Sequence, residues 1–401
     1  MKQLSIILLA ALAFAACTND DRYTLDDFTK GGGTATDTTV DPLPDTLCVD
    51  IVYNGSNATV TVASGFTADT SPYLTVSRQN ADITITSTTD KYLLITLSGQ
   101  SADGSLLVYS QAKYGITLNG LTLTNADGPA INNQCSKALY LTLADGTQNT
   151  LADGSEYTTA IGGLTGDEEI DQKGTLFSEG QVYVAGQGTL TVNAAAKNGF
   201  ASDDYIVISD GTLNINVAKT GSNGIKANDG FTISGGTLAI DVKADGARGI
   251  RCEARTTISG GNTQITTSGD PKITTTTDGG SVADTTTCAG IKSDSLFTMT
   301  AGSLVIKSTG DGGKGISCAE NVEFSGGTLN ITTTGSNDVG KPKGVKSDTG
   351  IIVSGGSFTV KVNKSWACDN GTETDDPKNR LTIVGTPATK TLQQKSVTII
   401  Y

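Results

Sequence analysis

Two glycine landmarks recur along this chain at a spacing of 25 residues, and that spacing limits the possible folds more than any other feature. The first is a glycine followed by an apolar residue, at Gly199, Gly224, Gly249, Gly290, Gly315 and Gly344. The second lies in an SGG-like turn, at Gly211, Gly236, Gly261, Gly302, Gly327 and Gly356. Each second glycine follows its first by 12 residues, whereas the gap to the next first glycine is 13, 13, 29, 13 and 17. One half of the repeat has a fixed length, and every insertion falls in the other half. Stacked coils behave this way, because each must restack on the last and extra residues can leave only at a corner.

The rest of the chain agrees. Charged residues make up 17% of the sequence and aromatics 5%, while glycine reaches 49 of 401. Long amphipathic helices need Leu, Ala, Glu and Lys, which are sparse here, whereas Thr, Val and Ile between glycine turns favour strands. Period-2 alternation is clear in DITIT, LLITL, LYLTL and QVYVAGQGTLTV. We read residues 47–401 as one all-β domain, a single-stranded parallel β-helix. The spacing predicts roughly 14 coils stacked about 4.8 Å apart in a rod roughly 65 to 70 Å long.

The N-terminus reads MKQLSIILLAALAFAAC, one lysine before a short apolar run that ends in small residues and Cys17. The run is too short for a membrane span. It resembles a bacterial lipoprotein leader, residues 1–16, with lipid on Cys17. The acidic TNDD that follows is similar to the export signal of Bacteroides-type surface lipoproteins. Residues 17–46 are polar and aperiodic, as in a flexible tether. The expected location is the outer membrane, facing the cell exterior, with lipid as the only membrane contact. Six further cysteines, Cys48, Cys135, Cys252, Cys288, Cys318 and Cys368, match no metal-binding spacing. They read as small buried side chains.

The net charge is −13 and histidine is absent. The first fact argues against nucleic acid as a partner. The second removes His triads, common zinc sites and His general bases.

Strand parity assigns the faces. The residues one and three after the first glycine point inward, and those two and four after it point outward. The outward positions at +2 include Lys226, Arg251, Lys292 and Lys346, and those at +4 include Asp203, Asn228, Glu253, Asp294 and Asp348. Arg248, Lys314 and Lys343 stand just before the first glycine. Basic residues gathered on one face of an acidic protein suit an anionic ligand, and a uronate polysaccharide would run near the coil spacing. The plainer alternative is a solvated face of Lys–Asp pairs worth about 0 to 1 kcal/mol each. Asp203, Asp204, Asp245, Asp294, Asp311 and Asp348 lie in or beside turns, where Ca²⁺ could collect carboxylate and carbonyl oxygens. Ordinary turn chemistry places Asp there as well. Trp366, the single tryptophan, reads as a cap on the last coil more readily than as a sugar platform.

The runs GITLNGLTLTN, LTLADGTQNTL, GTLFSEGQVYVAGQGTLTV, NGFASDDYIVISDGTLNI and NGIKANDGFTISGGTLAI resemble a calcium-binding, carbohydrate-binding β-helix family first recognised in a cellulose-degrading clostridium. The resemblance covers roughly residues 49 to 365. It implies a right-handed helix similar to pectate lyases, bound Ca²⁺, and binding of cellulose or acidic polysaccharide without cleavage. Members often carry a GDDGI-like acidic doublet before the first glycine. Here those places read SNGI, ARGI, CAGI, GKGI and PKGV, so Arg248, Lys314 and Lys343 stand where acids are usual. Asp203, Asp204, Asp294 and Asp348 match acidic positions after the glycine, and Asp245 and Asp311 each keep one earlier acid. The leading expectation is a monomeric, non-catalytic polysaccharide-binding lipoprotein. A pectate-lyase-like enzyme, with Arg251 as base beside Glu253 and Asp294, and a structural spacer or adhesin are the alternatives.

Overall fold

The computed structural model describes residues 46–63, 73–157, 170–276, 282–372, 380–384, 389–394 and 397–400. The leader, Cys17 and the tether read at residues 1–45 lie outside the described residues. Within the described residues every regular element is a strand.

Each coil carries three short strands, as in Asn198–Ser202, Tyr205–Ile208 and Thr212–Val217. Equivalent strands of successive coils pair in parallel, residue for residue, and Thr212–Val217 lies on Thr237–Val242 without a shift. The first strands form a sheet of 12, in which Leu74–Gln79 alone runs antiparallel, leaving eleven parallel rungs from Asp82–Ser87 to Cys368–Asp369. The chain therefore makes about eleven turns rather than fourteen. Antiparallel pairs at both ends and long insertions use up residues that a strict 25-residue division assigns to coils. The N-terminal pairs are Thr46–Asn54 with Asn57–Val62 and Leu74–Gln79 with Asp82–Ser87. At the other end Thr389–Gln394 pairs with Val397–Ile400. Folding the terminal strands back covers the open edges of a parallel stack.

The two glycine landmarks have different physical causes. The first holds the sheet of first strands close to the side chains of the third strands. A Cβ at Gly249 would lie 2.3 Å from Ile265 Cγ2 and 2.6 Å from the Gly290 carbonyl oxygen. The second turns the chain with a left-handed backbone, with φ of +70° at Gly236 and +69° at Gly261, which side-chain-bearing residues rarely adopt.

Between these constraints the core fills as parity requires. Phe200, Ile225, Ile250, Ile291, Ile316 and Val345 are fully buried, and each such side chain contributes roughly 1.5 to 3 kcal/mol. The inward small-residue column has a polar task too. Ser202, Ser293 and Ser347 donate to the carbonyls of Gly180, Ala254 and Glu320 at 3.0, 2.7 and 2.8 Å. Cys252 Sγ does the same toward Arg255 at 3.3 Å. Small hydroxyls and thiols thus satisfy corner carbonyls that a larger apolar residue would strand. The six described cysteines are free thiols, and Cys252 and Cys318 are separated by Ser293 in the ladder.

Candidate functional site

The outward column of the first strands runs in register through Thr84, Leu107, Asn132, Phe177, Ala201, Lys226, Arg251, Lys292, Ser317, Lys346 and Asp369. Leu107, Asn132, Phe177 and Ala201 are at most 5% exposed although they point away from the core. Residues 171–173, just before Gly174, pack against part of this run. Asp171 O accepts from Asn132 Nδ2 at 3.1 Å and from Gln134 Nε2 at 2.9 Å, and the Lys173 ammonium stands 5.5 Å from the Phe177 ring centre. Beyond Ala201 the column opens. The Lys226, Arg251, Lys292 and Lys346 side chains keep 26%, 18%, 32% and 35% of their surface in solvent.

This open half is an ion-pair ladder. Lys226 pairs with Glu253 at 3.4 Å, and Lys292 with Asp294 at 2.9 Å. Arg251 bonds Asp294 and lies 4.0 Å from Glu253, and Lys346 pairs with Asp348. Burial alone would raise the Asp294 carboxyl, but its hydrogen bonds from Arg251 and Lys292 hold it below the usual carboxylate range. The basic and acidic columns read from parity are therefore adjacent and partly neutralise each other.

The three cations before the first glycine are more deeply set. Lys343 bonds Asp369, which also accepts from Arg380 at 3.0 Å, and Arg380 stacks 4.0 Å over the Trp366 ring. Trp366 thus packs against Arg380 beside the last rung of first strands. Arg248 and Lys314 bond no carboxylate among the described residues. Lys314 donates to Thr287 Oγ1. Burial, reinforced by Lys346, Lys343, Arg248 and Lys292, lowers its ammonium from 10.5 to about 8.

The six aspartates considered for calcium have separate surroundings. Asp245 Oδ1 accepts the backbone N–H of Asp270 at 2.8 Å, Asp270 that of Asp311 at 3.1 Å, and Asp311 that of Ser336 at 3.0 Å. This is a side-chain ladder that ties one coil corner to the next. Asp294 and Asp348 bond the cations just described. Asp204 accepts from Gln181 Nε2 and from the Tyr205 N–H at 2.9 Å. Asp203 alone belongs to a convergent group. Its carboxylate and those of Asp171 and Glu179 lie within 4.8 Å of one another. Lys173 stands among them, bonding Asp203 and lying 2.6 Å from Asp171. Burial, followed by the charges of Asp203 and Asp171, raises the Glu179 carboxyl.

Sequence reasoning passed over Lys173, Glu179 and a neighbouring cluster of tyrosines. Tyr140 and Tyr183 occupy one outward column of the second strands and stack with ring centres 5.2 Å apart, and Tyr205 meets Tyr183 edge-on at 5.6 Å. The outward parity of Tyr140 in LYLTL and of Tyr183 in QVYVAG was the available signal.

A family model described as carbohydrate-binding domain-containing protein matches residues 79–334. No curated protein matches the chain. Among solved structures, the polysaccharide lyase-like protein from C. thermocellum, studied as a gadolinium derivative, superposes with a TM-score of 0.49 at 22% identity, over 69% of this chain and 96% of that one. The family match covers well over half of the sequence, including the Lys173 group, most of the ion-pair ladder and Lys314. The chain belongs to the family of carbohydrate-binding domain-containing proteins.

Proposed function

We propose that this protein is a non-catalytic, monomeric polysaccharide-binding lipoprotein, held at the outer cell surface by lipid on Cys17, and that its ligand is an acidic glycan. Family membership supports the carbohydrate. One observation supports the acidic character: in a chain of net charge −13, lysines and arginines are gathered where the column opens beyond the buried run Leu107, Asn132, Phe177 and Ala201. A repeating ligand laid along the rod would meet similar side chains at intervals of about 4.8 Å.

Calcium is part of the same reading. Asp171, Glu179 and Asp203 supply the hard oxygen donors that Ca²⁺ prefers. The ion would have to displace the Lys173 ammonium, so Lys173→Met is expected to tighten calcium binding and Asp203→Asn to weaken it, as read by calorimetry.

One observation favours a second reading, β-elimination of a uronate chain. Lys314, held near 8, is a base suited to neutral pH. It would take the proton from C5 while the C4–O bond breaks, leaving a C4=C5 double bond, and the departing sugar oxygen would take a proton from water. Affinity electrophoresis in polygalacturonate, with and without chelator, tests both readings while uronide absorbance is followed. Retardation without absorbance supports the binding protein, and loss of retardation with chelator supports calcium. Rising absorbance overturns the non-catalytic reading.

A further inference from the structure

Among the seven cations of this face, charge compensation is uneven. Lys226, Arg251, Lys292, Lys343 and Lys346 each have a carboxylate at ion-pair distance. Arg248 and Lys314 have none among the described residues. Arg248 gives Nη1 to the Gly246 carbonyl at 3.2 Å, and its Nε is buried with no acceptor. The two belong to one ladder, in the order Arg248, Ala289, Lys314, Lys343. Ala289 stands between them and ends at a methyl, so two rungs, roughly 10 Å of sheet, separate the cations with only a small side chain between.

Both long insertions meet at this place. The hairpin Lys272–Thr276 with Val282–Thr286 returns to the coil through Thr287, whose hydroxyl accepts from Lys314. The second insertion passes Gly340, where an added Cβ would lie 3.1 Å from Thr287 Cγ2, and rejoins the ladder at Lys343. After burial, the largest influences on Lys314 are Lys346, Lys343, Arg248 and Lys292, all cationic. Those that act on Arg248 are Arg251, Cys288 and Asp294, and the Asp294 oxygens already accept from Arg251 and Lys292. Burial strips both cations of water, Lys314 is repelled by the cations around it and Arg248 by Arg251, so an arriving anion would be favoured.

We propose that Arg248 and Lys314 form the seat for the anionic substituent of a bound sugar, a carboxylate or a sulfate ester, with the Thr287 hydroxyl as a third donor. The seat rests on the acidic-glycan reading and narrows it. The paired cations set the field along the face, the two unpaired ones hold the charge, and the insertions wall the place. Lys314 sheds its proton near pH 8 without ligand. A bound anion favours the protonated form, so affinity falls as pH rises past that point.

The test uses the full chain on native gels cast with polygalacturonate or dextran sulfate, with dextran as the neutral control. The wild type is expected to be retarded by an anionic polymer and to lose about tenfold in affinity between pH 7 and pH 9. Arg248→Gln and Lys314→Met each lose about tenfold or more at pH 7, whereas Lys292→Gln, already paired, loses less than about threefold. Lys314→Arg keeps the affinity and loses the pH dependence, which a merely structural lysine would not do. Retardation by polygalacturonate alone identifies a carboxylate, and by dextran sulfate alone a sulfate ester, and either supports the seat. Full retention by folded Arg248→Gln and Lys314→Met, with the loss moved to Lys292→Gln, overturns the seat and leaves the acidic-glycan reading standing. No retardation of the wild type by either anionic polymer removes that reading itself.

Discussion

Phe177 and Lys226 occupy the same outward column two rungs apart, yet one is wholly buried and the other reaches solvent. The backbone is the same on either side of Ala201, three strands per coil with parallel pairing. What differs is the chain laid over it. Residues 171–173 pack beside Phe177 and bond to Asn132, Gln134, Lys197 and Asn198. The described parts of the later insertions leave at a corner and meet beside Lys314, so the C-terminal half stays open. Strand parity states which residues turn away from the core. Whether those residues meet water depends on what passes over them.

The sharpest way to break this contrast is to exchange its characters. Phe177→Lys places a buried charge beside residues 171–173 and is expected to cost roughly 3 to 5 kcal/mol, visible as a large fall in melting temperature. The next effect tests how far burial reaches into the open half. Below about pH 8 both folded and unfolded chains hold the Lys314 proton, and the cost of its buried charge is fully present. Between about 8 and 10.5 the unfolded chain binds more protons than the folded one, so stability rises with pH. Lys314→Met should therefore be more stable than wild type at pH 7, by at most roughly 3 kcal/mol, and the advantage should vanish by pH 11 in denaturant titrations. Equal pH slopes for the two proteins would show that Lys314 is not desolvated.

Smaller effects sharpen the comparison. Asp294→Asn releases Arg251 and Lys292 from their carboxylate and is expected to raise affinity for an anionic polymer about threefold to tenfold, read by gel retardation. Ser317→Lys fills the neutral gap in the open ladder between Lys292 and Lys346. It should change stability by less than about 1 kcal/mol, since the site is half-buried with an open outer side and like charges on neighbouring rungs repel weakly in water. A cost as large as that of Phe177→Lys would mean that this half is covered as well.

Much of the fold was legible because its constraints act on the backbone. Gly249 and Gly236 each exclude a side chain for a reason that recurs at every coil, and the recurrence is visible as spacing. The outward cations were legible through parity. The proximity of Arg251 to Glu253 and Asp294 was legible from parity and register, but not that Arg251 and Lys292 would share the Asp294 carboxylate. The uses of Asp245 and Asp311 were hidden, because an aspartate that binds the next coil's N–H has the same turn neighbours as one that binds a metal. Lys173 and Glu179 were hidden by distance in the chain, since an insertion brings the Asp171–Lys173 segment to Asp203. The coil count was overestimated because the whole length was divided by 25, although the gaps of 29 and 17 already showed insertions and the terminal hairpins carry no mark in the repeat.

The fixed 12-residue half of the repeat has an evolutionary consequence. That half is under steric selection at every rung, so a change in length there would misalign all the coils after it. The corner that carries the insertions is free of that selection, and loops can lengthen or diverge there without disturbing the stack. Relatives with the same spine could thus differ in ligand preference through that single margin, where Arg248 and Lys314 reside, and new specificities could be acquired one loop at a time.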